Sequence, residues 1–196
     1  MKKRIVVGLV VVLVAIMVLS TSGMISAKQV RTDFTGLEYD CRILSDETKE
    51  WGDPAGMWHM RHVLHSNPNF SETQEFNGVH HTVADADINF ATGVATIRGT
   101  SHLVPYGIDG AWIGHWTFLY NNNHTYGWGV MRGTGALSGK IDFVDVYDVY
   151  EGEPGFEPPE NICDDIGGDP DLDGQYEAPV RTVGTMLEIG KPFEQA

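Results

Sequence analysis

The stretch Asp169-Pro170-Asp171-Leu172-Asp173-Gly174-Gln175-Tyr176-Glu177 sets three carboxylates at alternate positions ahead of a glycine. Calcium takes six to eight oxygens, and alternating carboxylates on a tight loop supply several at once. Asp169, Asp171 and Asp173 match positions 1, 3 and 5 of a helix-loop-helix calcium loop, and Gly174 matches position 6. Gln175 would offer a backbone carbonyl at position 7, and Glu177 falls at position 9. Position 12, where that motif closes with a bidentate Glu, is Val180. Asp164 or Asp165 could complete the set from upstream, for a weak site on the order of 10⁻⁴ to 10⁻³ M. A solvated acidic turn explains the same residues, and both readings stand on sequence alone.

Other residue types invite other chemistry. His59, His62 and His65, with His80 and His81, offer imidazoles suited to zinc or copper. Strand alternation sets His59 and His65 against His62, and His80 against His81, so one strand supplies no three-histidine site. His59 or His65 with His81 across two strands is the remaining metal arrangement; ordinary half-exposed histidines are the alternative. Ser71, Ser101 and Ser138 lack the G-x-S-x-G surroundings of a nucleophile elbow. The carboxylate pairs Asp85/Asp87 and Asp142/Asp148 could serve acid–base work, though same-face alternation produces such pairs freely. Trp112, Trp116, Tyr126 and Trp128 form an aromatic row suited to a carbohydrate or lipid pocket, or equally to core packing. Asn69-Phe70-Ser71 and Asn123-His124-Thr125 are glycosylation sequons, relevant where the host glycosylates exported proteins.

The elements that must carry these residues read as strands. Glycine is abundant, at 23 residues, and no long helical pattern occurs. Short alternating segments recur between turn residues, as in antiparallel β-sandwiches and barrels. Eight segments qualify: 35–44, 57–64, 83–90, 94–104, 111–120, 126–130, 141–150 and 180–189. In 111–120, Trp112, Trp116, Phe118 and Tyr120 share one face, and Ile113, His115 and Leu119 the other. In the next strand Tyr126, Trp128 and Val130 oppose a row of glycines that leaves room for bulky neighbours. The fold class is therefore all-β, an antiparallel β-barrel of about eight strands with one long acidic loop. That loop, 151–177, holds ten acidic residues, no Lys or Arg, and four prolines.

The N-terminus bounds the compartment. Lys2, Lys3 and Arg4 precede an unbroken apolar run from Ile5 to Leu19, and small residues follow up to Ala27. This is the layout of a secretory signal peptide over 1–27, with an uncleaved anchor as the alternative. Cleavage leaves a single domain, 28–196. It removes three of the 13 basic residues and no acidic one, leaving 10 against 27, a net charge of −17. Such a surface repels phosphate backbones, so nucleic acid is excluded as a partner. In an exported chain, Cys41 and Cys163 read as one disulfide, worth about 4–5 kcal/mol in the chain-entropy model.

The rhythm Gly110-Ala111-Trp112-Ile113-Gly114-His115-Trp116, followed by Gly133-Thr134-Gly135-Ala136-Leu137-Ser138-Gly139, resembles that of uncharacterised secreted prokaryotic β-barrel proteins. Those look similar in architecture to allene oxide cyclase and dirigent proteins. The resemblance covers about residues 58–149 and implies a barrel whose interior can hold an apolar ligand; it implies no activity and transfers no catalytic residue.

Together these features predict a secreted or cell-envelope barrel, non-catalytic and possessing a calcium-stabilised loop if the acidic turn binds the ion. Its partner would be a small apolar ligand or an envelope component. A barrel-pocket isomerase or cyclase acting on an apolar substrate is the alternative, and a purely structural surface protein the third. A binder calls for a lined cavity, an enzyme for titratable groups pointing into it, and a structural protein for a filled barrel.

Overall fold

The computed structural model describes residues 29–43, 45–121, 124–157, 162–163 and 177–189. The expected signal segment, Asn123, and Asp169, Asp171, Asp173 and Gln175 of the expected calcium loop lie outside these residues; Glu177 enters only as the backbone start of a strand. Of two compact units, 30–188 holds the barrel; the other, 1–29 with 189–196, lies almost wholly outside the described residues.

The described residues form ten strands: β1 (Gln29–Asp40), β2 (Arg42–Ile43), β3 (Lys49–Gly52), β4 (Met57–Ser71), β5 (Gly78–Asn89), β6 (Val94–Pro105), β7 (Trp112–Asn121), β8 (His124–Gly133), β9 (Lys140–Asp148) and β10 (Glu177–Ile189). Strands β4 to β10 run as an antiparallel meander, and β1 closes the ring by lying between β10 and β4. The result is the closed antiparallel eight-strand barrel that the sequence predicts. Closure removes the exposed edges that an open sheet would present. The two short strands β2 and β3 lie outside the ring, on the edge of β4 that β1 leaves uncovered.

β4 runs seven residues past its expected end, through Asn67-Pro68-Asn69, which reads as turn chemistry. Pro68 is tolerated because it falls between the parts of that edge paired with β1, from Asn69 on, and with β2, up to His65. β4 also carries a bulge between Met60 and Val63. His62 there has φ +61°, a left-handed conformation uncommon for a side-chain-bearing residue. The freed His62 N–H donates to Asp85 Oδ1 at 2.9 Å, and the His62 carbonyl accepts from Thr48 Oγ1 at 3.0 Å. The extra residue reverses which side chains face inward beyond it.

One end of the barrel is plugged. Phe76, from the 3₁₀ turn Gln74–Phe76, stacks on Phe34 at 3.7 Å and on Trp112 at 4.9 Å between ring centroids. Trp112 Nε1 donates to the Glu75 carbonyl at 2.8 Å, so a fully buried indole keeps its polar atom satisfied. Leu103, Met131, Leu137 and Met186 complete this core. The Gly-Trp rhythm of 110–116 and 133–139 builds the same end. Gly135 adopts φ +57°, and a Cβ there would lie 2.4 Å from the Asp109 carbonyl oxygen, so only glycine fits this crossing.

At the other end, the β9–β10 connection is tied back to β1. The predicted Cys41–Cys163 disulfide is present, and Tyr39 Oη donates to the Gly155 carbonyl at 2.9 Å. Among the described residues, no helix is long and apolar enough to cross a membrane.

Candidate functional site

Behind the plug the barrel is not filled. A cavity of about 490 Å³ runs from Phe76 and Asp142 to Tyr120, Thr125 and Asp148 near the opposite rim. Its size comes from small residues on the inner face. Ala84 and Ala86 of β5 and Ala95 of β6 line one wall. On the neighbouring wall the glycines Gly99 and Gly127 receive aromatic rings. A Cβ on Gly99 would lie 2.4 Å from the Trp116 indole, and one on Gly127 would overlap the Phe118 ring. Trp116 and Phe118 therefore lie flat against glycine backbone, 4.4 Å apart, and line the cavity instead of filling it.

The aromatic row divides. Trp116 lines the cavity, and Trp112 belongs to the plug. Tyr126 and Trp128 point outward, with 44% and 41% of their surfaces exposed. Two bulky rows cannot share the interior side of one hairpin, so the glycine row of β8 faces in and its aromatic row faces out. The four do not form one pocket.

The bulge redistributes the histidines. Beyond it His65 turns inward with Asn67 and Asn69, whereas His59 stays outside, bonded to Asp87 at 2.7 Å. That hydrogen bond holds the His59 imidazole above its usual range. The expected shared face of His59 and His65 is thus lost. His81 lies on the outer face, where Ser66 contacts it at 3.1 Å; burial, followed by the charges of His102 and His80, lowers its pKa. Among the described residues, no three His, Cys, Asp or Glu side chains converge to hold a metal ion. Asn69 is also interior and 6% exposed, so its sequon is inaccessible in the folded barrel.

Two sets of polar groups interrupt the apolar lining. The first is a connected chain. His80 Nδ1 lies 3.0 Å from Glu38 Oε2, and His80 Nε2 lies 2.7 Å from Ser101 Oγ. Asn67 Nδ2 donates to Glu38 Oε1 at 2.7 Å, and Asn67 Oδ1 accepts from the Cys41 N–H at 3.0 Å. The second set lacks well-formed partners among the described residues. Trp116 Nε1, Asn69 Oδ1 and Thr182 Oγ1 are buried without a hydrogen bond, and the Asp142 carboxyl has only a loose approach from the Phe143 N–H. Asn69 Oδ1 and Thr182 Oγ1 both point at the space that a side chain on Gly36 would occupy. Burial pushes the Asp142 carboxyl up to about 8, with the Phe143 N–H pulling weakly the other way. At neutral pH it is a protonated acid that can donate a hydrogen bond. Asp142 and Asp148 share the inner face, but Asp148 is engaged at the rim by the Thr125 N–H.

No family model, curated protein or solved structure matches this chain. Its chemistry must therefore be read from the cavity itself. The sequence offered two signals for the inner groups: the alternation that put Trp116 and Phe118 on one face, and that which paired Asp142 with Asp148. It offered none for the meeting of Glu38, His80 and Ser101, which lie on three strands.

Proposed function

We propose that this protein is an exported barrel that binds a small, mainly apolar molecule bearing one or two oxygen functions in its interior. The observation that carries this reading is the group of buried polar atoms without a well-formed hydrogen bond among the described residues, inside a mainly apolar cavity. A buried polar group without a partner costs about 1–3 kcal/mol, and Trp116, Asp142, Asn69 and Thr182 each present one. A ligand oxygen accepting from the indole N–H or the protonated carboxyl would offset that cost. The cavity volume lies within the range of small-molecule sites, roughly 300–1,000 Å³. A purely structural barrel would be expected to fill this space. Export is supported by the disulfide, which persists in oxidising compartments, and by the charged, then apolar, N-terminal sequence.

The test uses the neutral fluorophore N-phenyl-1-naphthylamine. Saturable binding of one molecule per chain is expected. Ala86→Phe, which places a ring in the cavity, should abolish it while the strand circular dichroism signal persists. Absence of saturable binding to the parent protein, or equal binding by folded Ala86→Phe, would refute the reading.

A further inference from the structure

We propose that Ser101, His80 and Glu38 form a nucleophilic triad that transfers the acyl group of a small apolar ester bound in the cavity. The proposal rests on the cavity reading and adds a reaction to it. All three side chains line the same cavity, and their contacts run in the order nucleophile, base, orienting acid. The triad requires Glu38 to accept from His80 Nδ1–H, the arrangement their 3.0 Å contact permits. Nε2 then presents its lone pair to Ser101 Oγ–H, the tautomer a general base requires. Glu38 cannot swing away, because Asn67 holds its second oxygen and is itself held by the Cys41 N–H. Ser101 and Glu38 are 4% and 7% exposed, which places the reacting hydroxyl away from bulk water.

The donor assigned to the developing oxyanion is the indole N–H of Trp116. The Trp116 indole covers Gly99, with its Cε2 atom 2.6 Å from the position of a Cβ on that residue. Ser101 is two residues along the same face of β6, about 7 Å away. The indole N–H, bonded to that Cε2, is buried and has no partner among the described residues. Both residues line the cavity, and an acyl oxygen reaching that N–H while its carbon meets Ser101 would be stabilised as charge develops. In the step, the Ser101 Oγ–C bond forms as the ester C–O bond breaks. The hydroxyl proton passes to His80 Nε2 and then to the leaving alcohol oxygen. Water next attacks the acyl-serine, His80 takes its proton and returns it to Ser101 Oγ, and the carboxylic acid departs. Water is the one co-reactant consumed, and no oxidation state changes.

The test uses 4-nitrophenyl butyrate with the full-length mature protein. Release of nitrophenol and a butyryl-sized mass increment on a peptide containing Ser101 are expected. Ser101→Ala should lose the increment and lower the rate by about 100-fold or more, and Ser101→Cys should restore the increment. Glu38→Gln, a positioning change, should lower kcat with KM nearly unchanged. Should Ser101→Ala fail to fold, His80→Gln is read in its place, with the same loss expected. Parent protein that binds N-phenyl-1-naphthylamine but takes no butyryl group overturns the triad and leaves the cavity reading standing. Folded Ser101→Ala reacting as fast as the parent also overturns the triad. Neither binding nor reaction overturns both.

Discussion

Asp142 is the residue whose chemistry departs furthest from its type. Its carboxyl titrates near 8 in the folded chain, against 3.8 when free of its surroundings. Because the folded value is raised, the folded protein keeps a proton that the unfolded chain has released at intermediate pH. Stability is therefore undiminished by this group below about pH 4, falls as pH rises from about 4 to about 8, and then levels off. The full cost is on the order of 5 kcal/mol. Asp142→Asn should match the parent near pH 4 in urea denaturation and exceed it by a few kcal/mol near pH 8. A constant difference across that window would mean the carboxyl titrates normally. A ligand oxygen accepting from the protonated acid should move the parent curve upward, and the variant curve less.

At the scale of elements, the β7–β8 hairpin decides whether the interior is hollow. Gly127→Ala would drive a methyl into the Phe118 ring, an overpacking cost of about 1–3 kcal/mol. Gly99→Ala should cost a similar amount, shift tryptophan emission by displacing Trp116, and weaken fluorophore binding; denaturation melts and emission spectra check both. The hairpin also marks where sequence reading succeeds and fails. Alternation alone sorted Trp112, Trp116, Phe118 and Tyr120 onto one face, because side-chain direction in a strand has period two. It could not say which face of β8 meets that one, since grouping by aromatic type and grouping by steric fit give opposite answers. The bulge at His62 was equally hidden. The N–H it frees is met by a carboxylate on another strand, Asp85, and beyond it the parity of His65, Asn67 and Asn69 is inverted. The Ser101 cluster was out of reach for a related reason: Glu38 and His80 are 42 residues apart, and His80 and Ser101 are 21 apart. No local motif spans them, and only barrel closure brings β1 to β5.

For the whole molecule, closure and the disulfide act together. Cys41 and Cys163 enclose 122 residues of sequence separation, a constraint worth up to about 5 kcal/mol on the unfolded chain. Reduction, or Cys41→Ser, should lower stability by about 2–5 kcal/mol. Thiol titration of the denatured, unreduced protein should find none of the two sulfhydryls free, and a stability unaffected by reduction would show that the link constrains nothing. The ring itself is closed by β1, which shares only three paired positions with β4, Gly36 to Glu38 against Ser71 to Asn69, and otherwise relies on β10. Translation delivers these partners at opposite times: the first barrel strand emerges before any other and its main neighbour emerges last. A nascent chain therefore holds Glu38 away from a finished cavity until the tenth strand arrives. A truncation just short of that strand leaves an open, seven-strand sheet with two raw edges, and an earlier one leaves fewer strands, so the architecture makes the arrival of the tenth strand a condition for having an interior at all.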